Sequence, residues 1–296
     1  ATAANTTDRN TELSIATGPD STLALTMDGA DGQLTRLTGN LEINVFDFVT
    51  VSGSFGIESK QGQVKLAGVT DDPATTEVDE TLANVDMLLI GGSNLSAFVG
   101  ADGVGVQLSG MGLGIALMSE QLTQDQIDAH VTAREWTSVQ ATVESASIQG
   151  IEGLTIAVDT LELQVNRQAS DHSIVDYSLT ADTSDDANAR NTELSIATGP
   201  DSTVALTMDG ADGQLTRLTG NLEINVFDFV TVSGSFGIES KQGQVKLAGI
   251  ENDPATQADE TLANVDMLLI GGSNLSAFVG ADGVGVELSG MGLGIA

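Results

Sequence analysis

The chain has 296 residues, 42 acidic against 10 basic side chains, and a net charge of −32. That balance excludes recognition of nucleic-acid phosphates and opposes an anionic membrane. There is no cysteine, hence no disulfide or thiolate metal site, and no apolar run reaches the roughly 18 residues that a membrane helix needs.

The polar stretch Ala1–Asp8 reads as a junction. After it the chain begins to repeat: Arg9-Asn10-Thr11-Glu12-Leu13-Ser14 returns as Arg190-Asn191-Thr192-Glu193-Leu194-Ser195, and Met111–Ala116 returns as Met291–Ala296. One residue is lost between the copies, near Thr75–Val78 against Thr256–Ala258. Elsewhere the changes are mild, as in Leu23 to Val204, Val69 to Ile250 and Gln107 to Glu287. Residues 1–181 form a first unit, with a duplicated part, 10–116, and a unit-specific part, 117–181. Residues 182–296 form a second, shorter unit that opens on another junction, Asp182–Asn188. So long a period with so little divergence reads as a window on a longer tandem array. The strand pattern runs up to Ala296, which suggests that neither Ala1 nor Ala296 is a natural end. Repetition builds length or multiplies a weak surface, whereas a catalytic site needs no copying, so an enzyme is not expected.

Taken in order, Gly18-Pro19-Asp20 and Asp28-Gly29-Ala30-Asp31-Gly32 are turn signals. Leu34–Val45 alternates apolar and polar residues around Gly39, and Phe48–Glu58 does so around Gly53. Each predicts a strand with one buried face. Lys60-Gln61-Gly62 reads as a turn, and Asp71-Asp72-Pro73 opens a polar loop that reaches Thr81. Gly91-Gly92-Ser93-Asn94 and Ala101-Asp102-Gly103 read as loop or hairpin signals. Val104–Ile115 alternates around Gly110. Thr123-Gln124-Asp125-Gln126 has the pattern of a capping box, and with Ile127 and Val131 on one face it predicts a short helix over 123–134. Trp136–Val143 and Leu154–Val165 read as further strands. Runs of about 12 residues extend ~40 Å, and their internal glycines predict bends at Gly39, Gly53 and Gly110.

Asp28 and Asp31, with their copies Asp209 and Asp212, are the best candidate metal ligands, because carboxylates in a Gly-rich turn supply hard oxygen donors to calcium. Asp102 and Asp282 are weaker candidates of the same kind. Their spacing is not that of an EF-hand, and Asp-Gly is also the default turn dipeptide. His130 and His172 have no zinc-like spacing and read as surface residues. Trp136 is expected in the core rather than as an exposed carbohydrate platform. Asn94-Leu95-Ser96 and Asn274-Leu275-Ser276 match the N-glycosylation pattern. Gly110-Met111-Gly112-Leu113-Gly114 lacks the spacing of a dinucleotide loop.

Three runs carry a family likeness: Val49–Gly56, Leu95–Val106 and Gly150–Ile156. They resemble repeats of the giant β-strand-repeat and adhesin-like exoproteins of aquatic bacteria. The resemblance implies a secreted or cell-surface protein whose units serve as spacers or fibre modules, and it carries over no catalytic residue.

The expectation is therefore an all-β, elongated tandem-repeat protein. Long, twisted, antiparallel strands would form a solenoid or prism-like stack over an aliphatic core, with one short helix near 123–134. A string of sandwich domains is the competing arrangement. The expected role is structural: an extracellular or cell-surface fibre, filament or adhesin stalk that self-associates with identical repeats or chains by strand addition at an exposed edge. A repeated binding module for glycan or a divalent cation is the competing role. No cofactor other than calcium, no nucleic-acid partner and no membrane insertion are expected.

Overall fold

The computed structural model describes residues 13–18, 21–25, 33–46, 48–69, 82–178, 194–200, 202–249, 262–281 and 283–296. Asp28, Asp31, Asp282, the loop 71–81 and both junctions lie outside the described residues.

The protein is all-β and antiparallel. Two short hairpins, β1 (Leu13–Gly18) with β2 (Ser21–Leu25) and β10 (Leu194–Gly199) with β11 (Ser202–Leu206), stand apart from one large sheet. The large sheet is a meander. It runs through β3 (Leu34–Val45), β4 (Val49–Ala67), β5 (Leu82–Ala101), β6 (Val104–Glu120), β7 (Glu135–Gln149) and β8 (Leu154–Arg167). It continues without a break into β12 (Leu215–Val226), β13 (Val230–Lys246), β14 (Leu262–Ala281) and β15 (Val284–Ile295). The two-residue strand β9 (Ile174–Val175) pairs with the end of β4. Among the described residues the sheet is open, with β3 and β15 at its edges. It is neither a closed barrel nor a solenoid.

Local chemistry sets the turns. Asp102 and Gly103 have φ of 53° and 79° between the paired residues Ala101 and Val104. This is the primed two-residue turn whose twist suits a hairpin and which Asp-Gly favours. Thr123 caps the helix α1 (Gln124–Asp128), and the Gln126 side chain returns the bond to the Thr123 backbone, completing the capping box. The helix is shorter than expected, because the chain reverses at His130 with φ of 57°.

Two expected turns are interior strand. Lys60-Gln61-Gly62 lies inside β4 and Gly91-Gly92-Ser93-Asn94 inside β5. Their glycines serve close approach, not reversal: the Met87 side chain fills the space over Gly62, and Leu95 that over Gly92. The expected irregularities at Gly53 and Gly110 are present. Gly53 has φ of 148° at a register shift between β4 and β5, and Gly110 has φ of 61°. Gly39 is regular, in unbroken register with Phe55. The bulge beside its copy, Gly220, lies on β8, where Thr160 takes φ of 52°.

The duplicated strands pair in duplicate register. Gly56, Gly91 and Gly114 are neighbours across β4, β5 and β6. Gly237, Gly271 and Gly294 are neighbours across β13, β14 and β15. On β5 the residues sharing the face of Gly91 are buried (Ala83, Val85, Met87 and Leu89), while the intervening Asn84, Asp86 and Leu88 are exposed. The main core cluster lies on that face, and on the other Leu95 is buried over Gly53 and Gly92. Leu37 and Ile57 stand exposed on that other face.

Candidate functional site

The covered face of the first unit is the place where chain segments distant in sequence meet. Two segments lie over it. One is Ala169–Tyr177, anchored by the Trp136 indole N–H donating to the Ser173 carbonyl (3.1 Å) and the Asn166 amide donating to the Val175 carbonyl (2.8 Å). The Tyr177 hydroxyl donates to Ser138 Oγ (2.8 Å), and Ser138 donates to Asn166 Oδ1 (2.9 Å). Every member of this buried polar chain is satisfied, as burial in an apolar layer requires. Burial drives the Tyr177 phenol well above its usual value, against the smaller opposing effect of its bond with Ser138.

The second segment is the hairpin β10–β11, which belongs to the following unit and folds back onto the sheet of the preceding one. Its Ile196 and Leu206 are fully buried, and with Met208 they join Val85, Leu89, Ala116, Trp136 and Tyr177 in one core. Burying an aliphatic side chain of this size stabilises by about 1.5–3 kcal/mol. The hairpin needs the glycine row beneath it. A Cβ on Gly56 or Gly91 would strike the Ala197 carbonyl. A Cβ on Gly114 would come within 3.3 Å of Val204, Ile196 and Leu206. Such spacing is tighter than a well-packed layer accepts. Ser202 Oγ lies 3.1 Å from Ser93 Oγ and accepts from Thr198 Oγ1 at 2.9 Å, which closes the hairpin's tip onto β5. At its other end the Thr207 N–H donates to Gln140 Oε1 (3.1 Å), and the Tyr177 N–H donates to the Met208 carbonyl (2.9 Å).

Charge holds the rim. Asp176 Oδ1 accepts from the Gly210 N–H (3.1 Å), while Oδ2 faces Lys65 Nζ at 3.5 Å. Burial raises the Asp176 pKa, but the Gly210 and Ser178 donors and Lys65 outweigh it and hold the carboxyl below its ordinary value. Glu58 lies between Arg36 (2.6 Å) and Lys60 (2.9 Å). There too burial acts against ionisation, and the two cations overcome it. Arg134 bridges Glu120 (2.6 Å) and Asp171 (3.0 Å), with its guanidinium 5.3 Å from the Trp136 ring.

The same hairpin sequence in the first unit, ahead of that unit's sheet, has a different fate. Ile15 is 44% exposed and Leu23 57%, against 0% for Ile196. Among the described residues β1–β2 does not join the core. The second unit's sheet is the reciprocal case. Gly271 is exposed where Gly91 is buried, and a Cβ on Gly271 or Gly294 would meet nothing within 4 Å. An open cavity of about 560 Å³ occupies that place, lined by Asn221, Ser235, Phe236, Gly237, Gly271 and Ser273 among others.

The candidate metal ligands are spent locally where they are described. Asp209 caps the 3-10 turn Gly210–Asp212, its Oδ1 accepting from the Ala211 N–H at 2.8 Å. Asp212 pairs with Arg217 at 3.1 Å. Asp102 forms the β5–β6 turn, on a different part of the chain. Among the described residues no three His, Cys, Asp or Glu side chains group as metal ligands would. His130 and His172 are exposed at positive-φ turns, Trp136 is core, and Asn94 is exposed at the β5 irregularity. The sequence reading missed the hairpin seat. Its signal was there in Gly56, Gly91 and Gly114, which fall on one face of three consecutive strands once these are aligned.

No family model, curated protein or solved structure matches the chain.

Proposed function

We propose that the chain is a structural repeat module of a large extracellular protein, a fibre, surface filament or adhesin stalk, in which each unit's sheet is capped by the hairpin of the unit that follows. The observation that carries the reading is the burial of Ile196 and Leu206 on the first unit's sheet together with the pairing of β8 with β12 along their length, interrupted only by the bulge at Thr160. These are two separate connections between consecutive units, one through backbone hydrogen bonds and one through an apolar clasp. A joint of this kind transmits tension and resists bending, and it needs no catalytic group. The extracellular setting rests on the likeness of Val49–Gly56, Leu95–Val106 and Gly150–Ile156 to adhesin-like repeats. The local engagement of Asp209 and Asp212 favours this role over a divalent-cation module.

Dimensions follow from the topology. A full unit adds six strands, β3 to β8, to the sheet. At ~4.8 Å per strand this is a rise of ~29 Å, with a rotation of ~130° from the usual twist between strands. The test is electron microscopy of chains extended by further copies of residues 10–181, with and without a calcium chelator. Rods that lengthen by a constant increment near that rise, unchanged by chelation, support the reading. Separate globules on a flexible string overturn it, and rods that dissolve on chelation transfer the role to cation sites.

A further inference from the structure

We propose that the sheet face opposite the clasp is an assembly surface on which a second copy of this chain docks, sheet against sheet, to form a two-layered sandwich. The contact is separate from the hairpin seat and holds whether or not the repeats build a fibre.

Two rows of paired residues bound this surface in the first unit. Leu37, Ile57, Ile90, Ile115, Val139 and Val165 are successive partners across β3 to β8. About 26 Å further along the strands, Val45, Val49, Val99, Val106 and Ile148 are successive partners across β3 to β7. Neither row holds a polar side chain. The alternate residues, such as Glu42, Asn44, Thr50 and Ser52, belong to the other face. The strands thus change their apolar side along their length. Val85, Met87 and Leu89 of β5 face the clasp, whereas Ala97 and Val99 face away from it, and the register irregularity around Leu95 lies between. One extra residue in a strand turns every later side chain to the opposite face.

The apolar band continues into the second unit. Ala146, Val158 and Leu222 are partners across β7, β8 and β12. Val226, Val230 and Val279 repeat the row of Val45. Neither adjoining unit covers the band. Ile57 is 48% exposed with the following unit in place, and its copy Ile238 is 41% exposed with the preceding unit in place. Val99 and Val106 are exposed although each lies between two paired strands.

Size and charge name the occupant. The band spans ~26 Å by ~29 Å in one unit, about 750 Å². That exceeds the largest apolar patch of an ordinary monomer, roughly 300–600 Å², and matches the ~800 Å² per partner of a standard interface. The chain carries a net charge of −32, but the rows carry no carboxylate, so two copies meet there without opposing their charges. A bilayer fits less well. The turns that end the band hold Asp102, Glu152 and Asp228, all exposed, and insertion past them would bury charge. Between two sheets these carboxylates stay at the wet rim. Sheets so packed lie about 10 Å apart with their strands within ~30°. The same patch serves both copies, so the contact is isologous and closes at a dimer. Added salt strengthens it by screening the remaining repulsion.

The test is sedimentation velocity of the whole chain over a concentration series in moderate salt, with melting temperature as the check on folding. The parent is expected to dimerise and to stop at the dimer. Val99→Asp with Val279→Asp sets carboxylates against each other across the contact and weakens dimerisation by ~100-fold or more. Gln149→Glu with Thr155→Asp adds the same charge on the opposite face and changes it by no more than about threefold. If the aspartates at 99 and 279 lower the melting temperature, Val99→Thr with Val279→Thr replaces them. That pair keeps the shape and the strand preference and still weakens the dimer. A parent that stays monomeric at every concentration overturns the proposal, as does equal weakening by substitutions on the two faces. Flotation of the monomeric parent with neutral phosphatidylcholine vesicles, abolished by Val99→Asp with Val279→Asp, would overturn it in favour of a lipid occupant.

Discussion

The carbonyl of Ala197 lies directly over Gly91, so close that a single methyl on that glycine has no room, and Gly271, the copy of Gly91, faces open space. Two residues with the same neighbours in sequence and the same strand register therefore stand under opposite constraints. The difference comes from a hairpin that starts about a hundred residues later in the chain.

Gly91→Ala and Gly271→Ala accordingly have opposite outcomes. The first overpacks the seat and destabilises by about 1–3 kcal/mol. The second relieves a flexible backbone in an exposed strand and is neutral or stabilising by up to ~1 kcal/mol. Denaturant midpoints of the two single variants, measured side by side, decide the matter. Equal effects would mean that the hairpin does not occupy the first seat in solution.

The twin hairpins give a second contrast. Ile196→Ala removes a fully buried side chain from the core and costs about 2–5 kcal/mol. Ile15→Ala changes a side chain 44% exposed and stays within ~0.5 kcal/mol. Thermal unfolding followed by Trp136 emission reads the first loss directly, since Trp136 is the sole tryptophan and shares the core with Ile196.

Acid weakens the clasp. The folded-state pKa values of Asp176 and Glu58 are lowered from 3.8 and 4.5. Their contributions are therefore complete above those ordinary values and fade as pH falls below them, through the lowered folded values. Asp176→Asn keeps an Oδ1 acceptor for Gly210 but loses the charge facing Lys65, at a cost of ~1.5 kcal/mol near neutral pH. The variant and the parent converge in stability as pH falls through the lowered folded value of Asp176, where the parent's carboxylate is protonated as well. Denaturant unfolding across pH 3 to 7 measures this difference, and a gap that does not narrow in acid would refute the role given to Asp176. Relief of the general negative repulsion acts on both proteins alike.

Alkali acts through Tyr177, the sole tyrosine. Its folded pKa is raised, so the stabilisation is intact below the ordinary value of 10.0 and is lost as pH rises beyond it, because only the unfolded chain ionises. Tyrosinate absorbance should rise together with unfolding rather than ahead of it. In Tyr177→Phe the alkaline loss attributable to this group should vanish, with ~1 kcal/mol lost at neutral pH from the missing bond to Ser138. Ionisation of Tyr177 while Trp136 remains buried would contradict the packing described.

The strand character of the chain was legible because Leu34–Val45, Val104–Ile115 and Leu154–Val165 alternate with period two, and the Thr123–Gln126 capping box announced its helix. Gly62, Gly91 and Gly92 were misleading for a physical reason. A glycine without a side chain serves a tight turn and a close approach equally well, and only the partner in space distinguishes them: Met87, Ala197 and Leu95. The open sheet was hidden by the same logic, since alternation specifies that one face is covered but not by what. The site lay deeper still. Leu13–Leu25 and Leu194–Leu206 are nearly one sequence in two environments, so no local property of either could mark one as seated and the other as free. The Asp-Gly turns drew attention as oxygen donors, whereas Asp102 serves turn geometry, and Asp209 and Asp212 serve a cap and an ion pair.

The hairpin that closes the first core arrives late. Ser93 and Ser202, which touch at its tip, are 109 residues apart in sequence. Synthesis from the N-terminus delivers the sheet β3 to β8 before its lid, so the first unit waits with one aliphatic face bare, and sticky, until residues 194–206 emerge.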